Sequence, residues 1–158
     1  MPDTKHYLRM AIDLARENVE RGERPFASVI VKDGEVIATG VNSVAATSDP
    51  TSHAEIEAIR AATRTLKSER LDGCVVFASG HPCPMCLAAM YLAGISEGYY
   101  AHSIEDGAPY GLAASGEIYE ELRKPIGAQS MRLEHVPVAA DGEPLYAYWQ
   151  RRNSAGKS

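Results

Sequence analysis

The chain has 158 residues, 45% of them apolar and 23% charged, with a formal net charge of −5 at pH 7. That composition fits one domain, residues 1–158, with a sizeable core, and the acidic balance excludes a global basic field that would draw in a polyphosphate. Two of the three cysteines share a Pro-Cys-x-x-Cys segment, which leaves no disulfide framework; no leader-like apolar region opens the chain and no apolar run reaches the ~18 residues of a membrane helix, so a cytoplasmic protein is expected.

Helix and strand patterns alternate without repeats. Residues 3–21 place Leu8, Ala11, Ile12, Ala15 and Val19 on one helical face, with Gly22 as a stop. Residues 27–32 and 35–41 are β-rich and joined by Asp33-Gly34, a strong two-residue hairpin signal. A loop over 42–52 leads to a helix over 53–67, and Asp72-Gly73 turns the chain into a strand over 74–79. Cys74 opens that apolar strand and reads as a small buried hydrophobe. A helix over 83–93, a strand over 98–102 and a Gly/Ala-rich loop over 103–115 follow. A helix over 117–123, a strand over 130–136 and a terminal helix after Asp141 complete the order. A hairpin feeding β-α-β crossovers predicts a three-layer α/β/α fold, with a mixed five-stranded sheet and helices on both faces.

Both ends of one motif fall at predicted helix starts, on loops at the end of the sheet where α/β folds usually bind ligands. His53-Ala54-Glu55 is separated by 26 residues from Pro82-Cys83-Pro84-Met85-Cys86. One imidazole and two thiolates form the N/S set that holds a four-coordinate zinc with one position left for water. The three-residue spacing of Cys83 and Cys86 puts both sulfurs on one helical face, and the amides at that helix start favour thiolate. Zinc lowers the pKa of a bound water to about 7, and Glu55, a carboxylate outside the ligand set, is suited to shuttle protons. A closed structural zinc module would need a fourth protein ligand and gives Glu55 no purpose. One zinc per chain is expected.

The His-x-Glu…Pro-Cys-x-x-Cys pattern is a signature of zinc-dependent nucleobase deaminases, and the chain resembles the cytidine-deaminase-like superfamily. The resemblance runs along nearly the whole chain through Pro25-Phe26, the 29–34 hairpin, Asn42, Asp49-Pro50, His53-Ala54-Glu55 and Pro82–Cys86. Within the superfamily, Asn42, Asp49-Pro50 and the Pro-Cys-Pro-Met-Cys form point to the bacterial guanine-deaminase branch. The resemblance implies His53, Cys83 and Cys86 as zinc ligands and Glu55 as the catalytic proton shuttle. It implies substrate contacts from Asn42 and the Ala54 amide, with Phe26 lining the pocket. It also implies a zinc-assisted hydrolysis that releases ammonia from a free nucleobase, nucleoside or related amino-heterocycle, guanine foremost.

The residues themselves leave alternatives. Asn42 also fits a locally bonded turn residue, Phe26 ordinary core packing, and His81 either a substrate contact or a loop residue at the mouth. The guanine-deaminase pattern carries adjacent acidic residues where this chain has Ala113-Ala114; Glu105, Asp106 and Glu117 are the nearest carboxylates in sequence. A transfer-RNA adenosine deaminase shares the chemistry but needs a basic surface, for which Arg151-Arg152 is a poor substitute. Cytosine, cytidine, pterins and triazines complete the substrate range. Leu145-Tyr146-Ala147-Tyr148-Trp149 fits a helix packed on its own sheet. It equally fits the exchanged cover of a homodimer, beginning near residue 141, which the resemblance implies.

Overall fold

Asp3 starts the first helix by accepting the amides of Lys5 and His6, which satisfies two otherwise orphaned donors of α1 (Thr4–Glu20). β1 (Ala27–Lys32) and β2 (Glu35–Val41) follow as a hairpin. Its corner residues Asp33 and Gly34 have φ of 51° and 79°, the left-handed pair that matches the twist of two antiparallel strands. β3 (Cys74–Gly80) pairs antiparallel with β1, and β4 (Glu97–His102) lies parallel to β3 after the crossover helix α4 (Pro84–Leu92). The structure, a computed structural model, describes residues 3–155.

The sheet order is β2-β1-β3-β4. On one face α1 packs Tyr7 and Ala11 against Val29, Val31 and Phe77; on the other, α3 (Ala54–Leu66) and α4 enclose Ile30, Val76 and Met90. The three layers therefore stand as expected. Cys74 is buried within the second of these clusters, and burial pushes its thiol pKa up, as an inert core position should.

Two expectations need correction. The sheet has four strands among the described residues, not five. Residues 130–136 form no strand, and Met131, Leu133 and Val136 are exposed. Alternation alone does not make a strand: each residue also needs a neighbour that takes its backbone hydrogen bonds and covers its apolar side chains. The buried face of α1 is also rotated. It presents Tyr7, Ala11, Ala15 and Asn18, whereas Val19 is 50% exposed. An asparagine occupies the position where another apolar residue was expected.

One close approach fixes the helix that carries half of the motif. A β-carbon on Gly40 of β2 would lie 2.3 Å from both the Ala54 carbonyl oxygen and the Ala58 nitrogen. Only a glycine lets the first turn of α3 sit this low on the sheet. The loop before it contains the short helix α2 (Val44–Thr47).

The chain divides into two units, Met1–Arg123 and Lys124–Ser158. The first ends with α5 (Ile104–Gly107) and α6 (Ala114–Leu122). The second contains an extended stretch and α7 (Leu145–Ala155), braced by an Arg151–Glu143 ion pair at 2.9 Å and by Arg151 over the Tyr148 ring. Among the described residues no helix is long and apolar enough to cross a membrane.

Candidate active site

The starts of α3 and α4 converge. His53 is the N-cap of α3, yet its side chain makes no capping hydrogen bond. Its imidazole instead joins the two thiols: Nδ1 lies 3.4 Å from Cys83 Sγ and 3.6 Å from Cys86 Sγ, and the sulfurs are 3.4 Å apart. A tetrahedral zinc with bonds of ~2.0–2.3 Å needs ligand atoms about 3.6–3.8 Å from one another. The three atoms already lie near the corners of one face of that tetrahedron. The residue types and the spacing both fit zinc, and this is the one such group among the described residues.

Local sequence builds the thiol half of the group. Cys83 is the N-cap of α4, its sulfur accepting the Cys86 amide at 3.5 Å, and Pro84 fills the first helical position where no N–H is required. The Cys83 thiol is pulled down to about 4, first by its hydrogen bond with the Cys86 thiol and then, against partial burial, by the adjacent His53. Cys86 shifts upward through its hydrogen bond with Cys83 and through burial. The His53 imidazole is shifted upward by its hydrogen bond with Cys83. One sulfur of the pair is thus prepared as a thiolate, the form in which it binds metal.

Glu55 is buried, 6% exposed, and burial raises its carboxyl pKa above the usual carboxylate range, with hydrogen bonds from its own amide and from Cys86 pulling the other way. A buried carboxyl with a raised pKa beside the metal group is suited to hold and pass on a proton.

The remaining expected residues have these surroundings. Phe26 is half-buried, and its ring lies where a β-carbon on Gly80, the residue before His81, would be 3.2 Å away. Asn42 is 2% exposed; its Oδ1 accepts the Val44 amide at 3.1 Å, the local turn bond, while its Nδ2 donors have no partner among the described residues. The turn reading of Asn42 therefore holds for the oxygen end of its amide. Ala54 is fully buried at the uncapped start of α3. His81 donates through Nδ1 to the Pro82 carbonyl at 2.9 Å and packs edge-on against Tyr100 and Tyr119. His6, His102 and His135 are exposed, and none of them belongs to the metal-binding group found among the described residues.

Sequence reasoning missed Tyr119 and Asn18. Tyr119 donates its hydroxyl to the same Pro82 carbonyl at 2.5 Å, tethering α6 to the residue before Cys83. No spacing rule links positions 82 and 119. Asn18 was visible in principle, as a polar residue seven positions after Ala11 on an apolar helical stripe.

Comparison with known proteins agrees with this geometry. The family model described as the cytidine and deoxycytidylate deaminase zinc-binding region matches residues 1–102. The guanine deaminase of Bacillus subtilis (strain 168) is 41% identical over 96% of this chain and 95% of its own. A tRNA-specific adenosine deaminase of Aquifex aeolicus (strain VF5) is 31% identical over 93% and 94%. The X-ray structure of the Bacillus subtilis guanine deaminase superposes with a TM-score of 0.84, at 39% identity over 97% of this chain and 95% of that one. This chain belongs to the cytidine and deoxycytidylate deaminase zinc-binding family and is a zinc-dependent deaminase.

Proposed function

We propose that the substrate is a free amino-purine, guanine foremost, and that the product is the corresponding lactam plus ammonia. The observation that carries this reading is the end-to-end likeness to a guanine deaminase, 41% against 31% for the transfer-RNA enzyme over a similar span. The net charge of −5 also disfavours a polyanionic RNA partner.

His53, Cys83 and Cys86 hold the zinc, which when bound supplies Lewis-acid activation of water. The chain's own residues do the rest. Glu55 takes a proton as water adds to the amine-bearing carbon and delivers it to the neighbouring ring nitrogen, then takes the second proton from the new hydroxyl and gives it to the departing amine. The carbon–nitrogen bond breaks, and the ring keeps the oxygen as a carbonyl. The free Nδ2 of Asn42 donates to an acceptor on the base, a ring nitrogen or carbonyl, while Oδ1 takes the Val44 amide. The Ala54 amide, at the positive end of α3, donates to a second acceptor. Phe26 lines the pocket wall, and the His81 imidazole stands at its mouth.

The exocyclic amine of guanine then needs its own acceptor, since Ala113-Ala114 supply none. Asp106 is committed elsewhere: its carboxylate and the Ser103 hydroxyl form a reciprocal capping box at the start of α5. Glu105 and Glu117 are exposed and available for that role.

Assembly as a homodimer is the second part of the proposal. Leu145, Tyr146 and Trp149 are 71%, 84% and 63% exposed, an apolar surface that one chain leaves uncovered. Exchange of this terminal segment between two copies would bury it and close each site from water.

The test is ammonia release from the zinc-loaded enzyme over guanine, adenine, cytosine, cytidine, a pterin, a triazine and an adenosine-bearing anticodon stem-loop. Guanine is expected to give the highest kcat/KM. Turnover of the stem-loop alone would replace the free-base reading with RNA editing.

A further inference from the structure

Asn18 is 1% exposed in the last turn of α1, and both hydrogens of its side-chain amide are used outside the helix. Nδ2 donates to the Arg24 carbonyl and to the Asn42 carbonyl, each at 2.9 Å. The Arg24 carbonyl also takes the Phe26 amide at 2.8 Å, and the Phe26 carbonyl takes the Asn42 amide at 3.0 Å. These bonds close a ring that runs from Asn18 to Arg24, Phe26, Asn42 and back. Beside it, the Glu23 carboxylate accepts the amides of Ala45 and Ala46 at 3.2 and 2.7 Å, holding the segment that follows Asn42.

A buried amide costs stability unless its donors are satisfied, and an aliphatic residue would fill the same stripe of α1 without that demand. The particular effect of the amide is to fix two separate loops relative to each other. One loop presents Phe26 and the other presents Asn42. Because Asn42 Oδ1 is pinned to Val44, its free donors go wherever its backbone goes, and a hydrogen bond weakens steeply when a donor is displaced or turned.

We infer that Asn18 is a positioning residue for substrate recognition, setting the placement of the Asn42 donors against the Phe26 ring without touching the base. This deepens the proposed function and rests on its reading that Asn42 and Phe26 contact the base. The metal group and Glu55 stand on α3 and α4, outside the ring, so Asn18 governs KM far more than kcat.

The experiment is steady-state kinetics on guanine with zinc-loaded wild type, Asn18→Leu, Asn42→Ala and the double variant, with zinc content and thermal midpoint measured on each. Asn18→Leu is expected to raise KM about tenfold, the scale of one lost hydrogen bond, with kcat within about threefold and one zinc per chain. Because Asn18 acts through Asn42, the double variant should be within about twofold of Asn42→Ala alone. Asn18→Ser, which leaves room for water between the two carbonyls, should show the same KM shift and serves if the leucine variant does not fold. Wild-type KM in a folded Asn18 variant overturns the inference. So do additive effects in the double variant, or a loss of kcat that follows zinc content. An unchanged KM in Asn42→Ala overturns the underlying contact reading instead, and the two failures are thereby told apart.

Discussion

The starts of α3 and α4 and the segment from Lys124 onward use their apolar residues differently. In the first unit the metal-binding residues begin helices that are seated on a buried sheet: Ala54 and Ala58 are fully buried, and Cys86 has no exposed surface. In the second, Met131, Leu133, Val138, Leu145, Tyr146 and Trp149 are all more than half exposed. Burial fixes side-chain geometry because each rotamer is held by its neighbours. The metal centre is therefore complete within the first 123 residues. The terminal segment carries its apolar side chains largely exposed.

Substitutions at the metal group should show the largest effect. Cys83→Ala is expected to lose both zinc and ammonia release, because two ligands do not hold the ion against exchange. Metal analysis of the purified variant checks this, and full zinc occupancy would contradict the ligand assignment.

Truncation before Leu145 separates the two regions directly. Zinc content should stay near one per chain, while turnover falls tenfold or more if the segment covers a site, the scale associated with water exclusion and lid closure. Light scattering of the full chain should give a dimer. A monomer, or a truncated chain with unchanged turnover, would break the contrast drawn between the regions.

Gly40→Ala sharpens the first half of the contrast. The new methyl would meet backbone atoms of α3 at 2.3 Å, so the helix start must lift. A destabilisation of ~1–3 kcal/mol, typical of overpacking, should be accompanied by weaker zinc retention, measured by denaturant titration and by competition with a chelator. Wild-type stability and zinc retention would mean that the seat is looser than its geometry implies. Tyr119→Phe should give the smallest effect, about 1 kcal/mol or less in stability, because the Pro82 carbonyl keeps its bond from His81. A larger loss of zinc would make Tyr119 a principal anchor of the thiol loop.

How legible each region was in the sequence follows the same division. The hairpin at Asp33-Gly34, the helix carrying His53 and the turn carrying Cys83 were readable because local chemistry and burial agree there. Residues 130–136 alternate like a strand, yet in this chain they form no ladder, which depends on a neighbour that local sequence does not name. Asn42 read both as a turn residue and as a contact, and its amide serves the first with its oxygen while leaving its donors for the second. The Tyr119 tether and the Asn18 ring were hidden for another reason. They join residues 37 and 24 positions apart through backbone carbonyls, which every residue carries and no motif records.

The central claim is that the metal group and Glu55 together perform hydrolytic deamination of a free base. It is tested most directly by measuring zinc content and ammonia release from guanine on the same preparations of wild type and Glu55→Gln. The amide is nearly isosteric and cannot carry the proton. The account expects one zinc per chain in both proteins and a turnover lower by ~10²- to 10⁴-fold in the variant. Near wild-type turnover with full zinc in Glu55→Gln would contradict it.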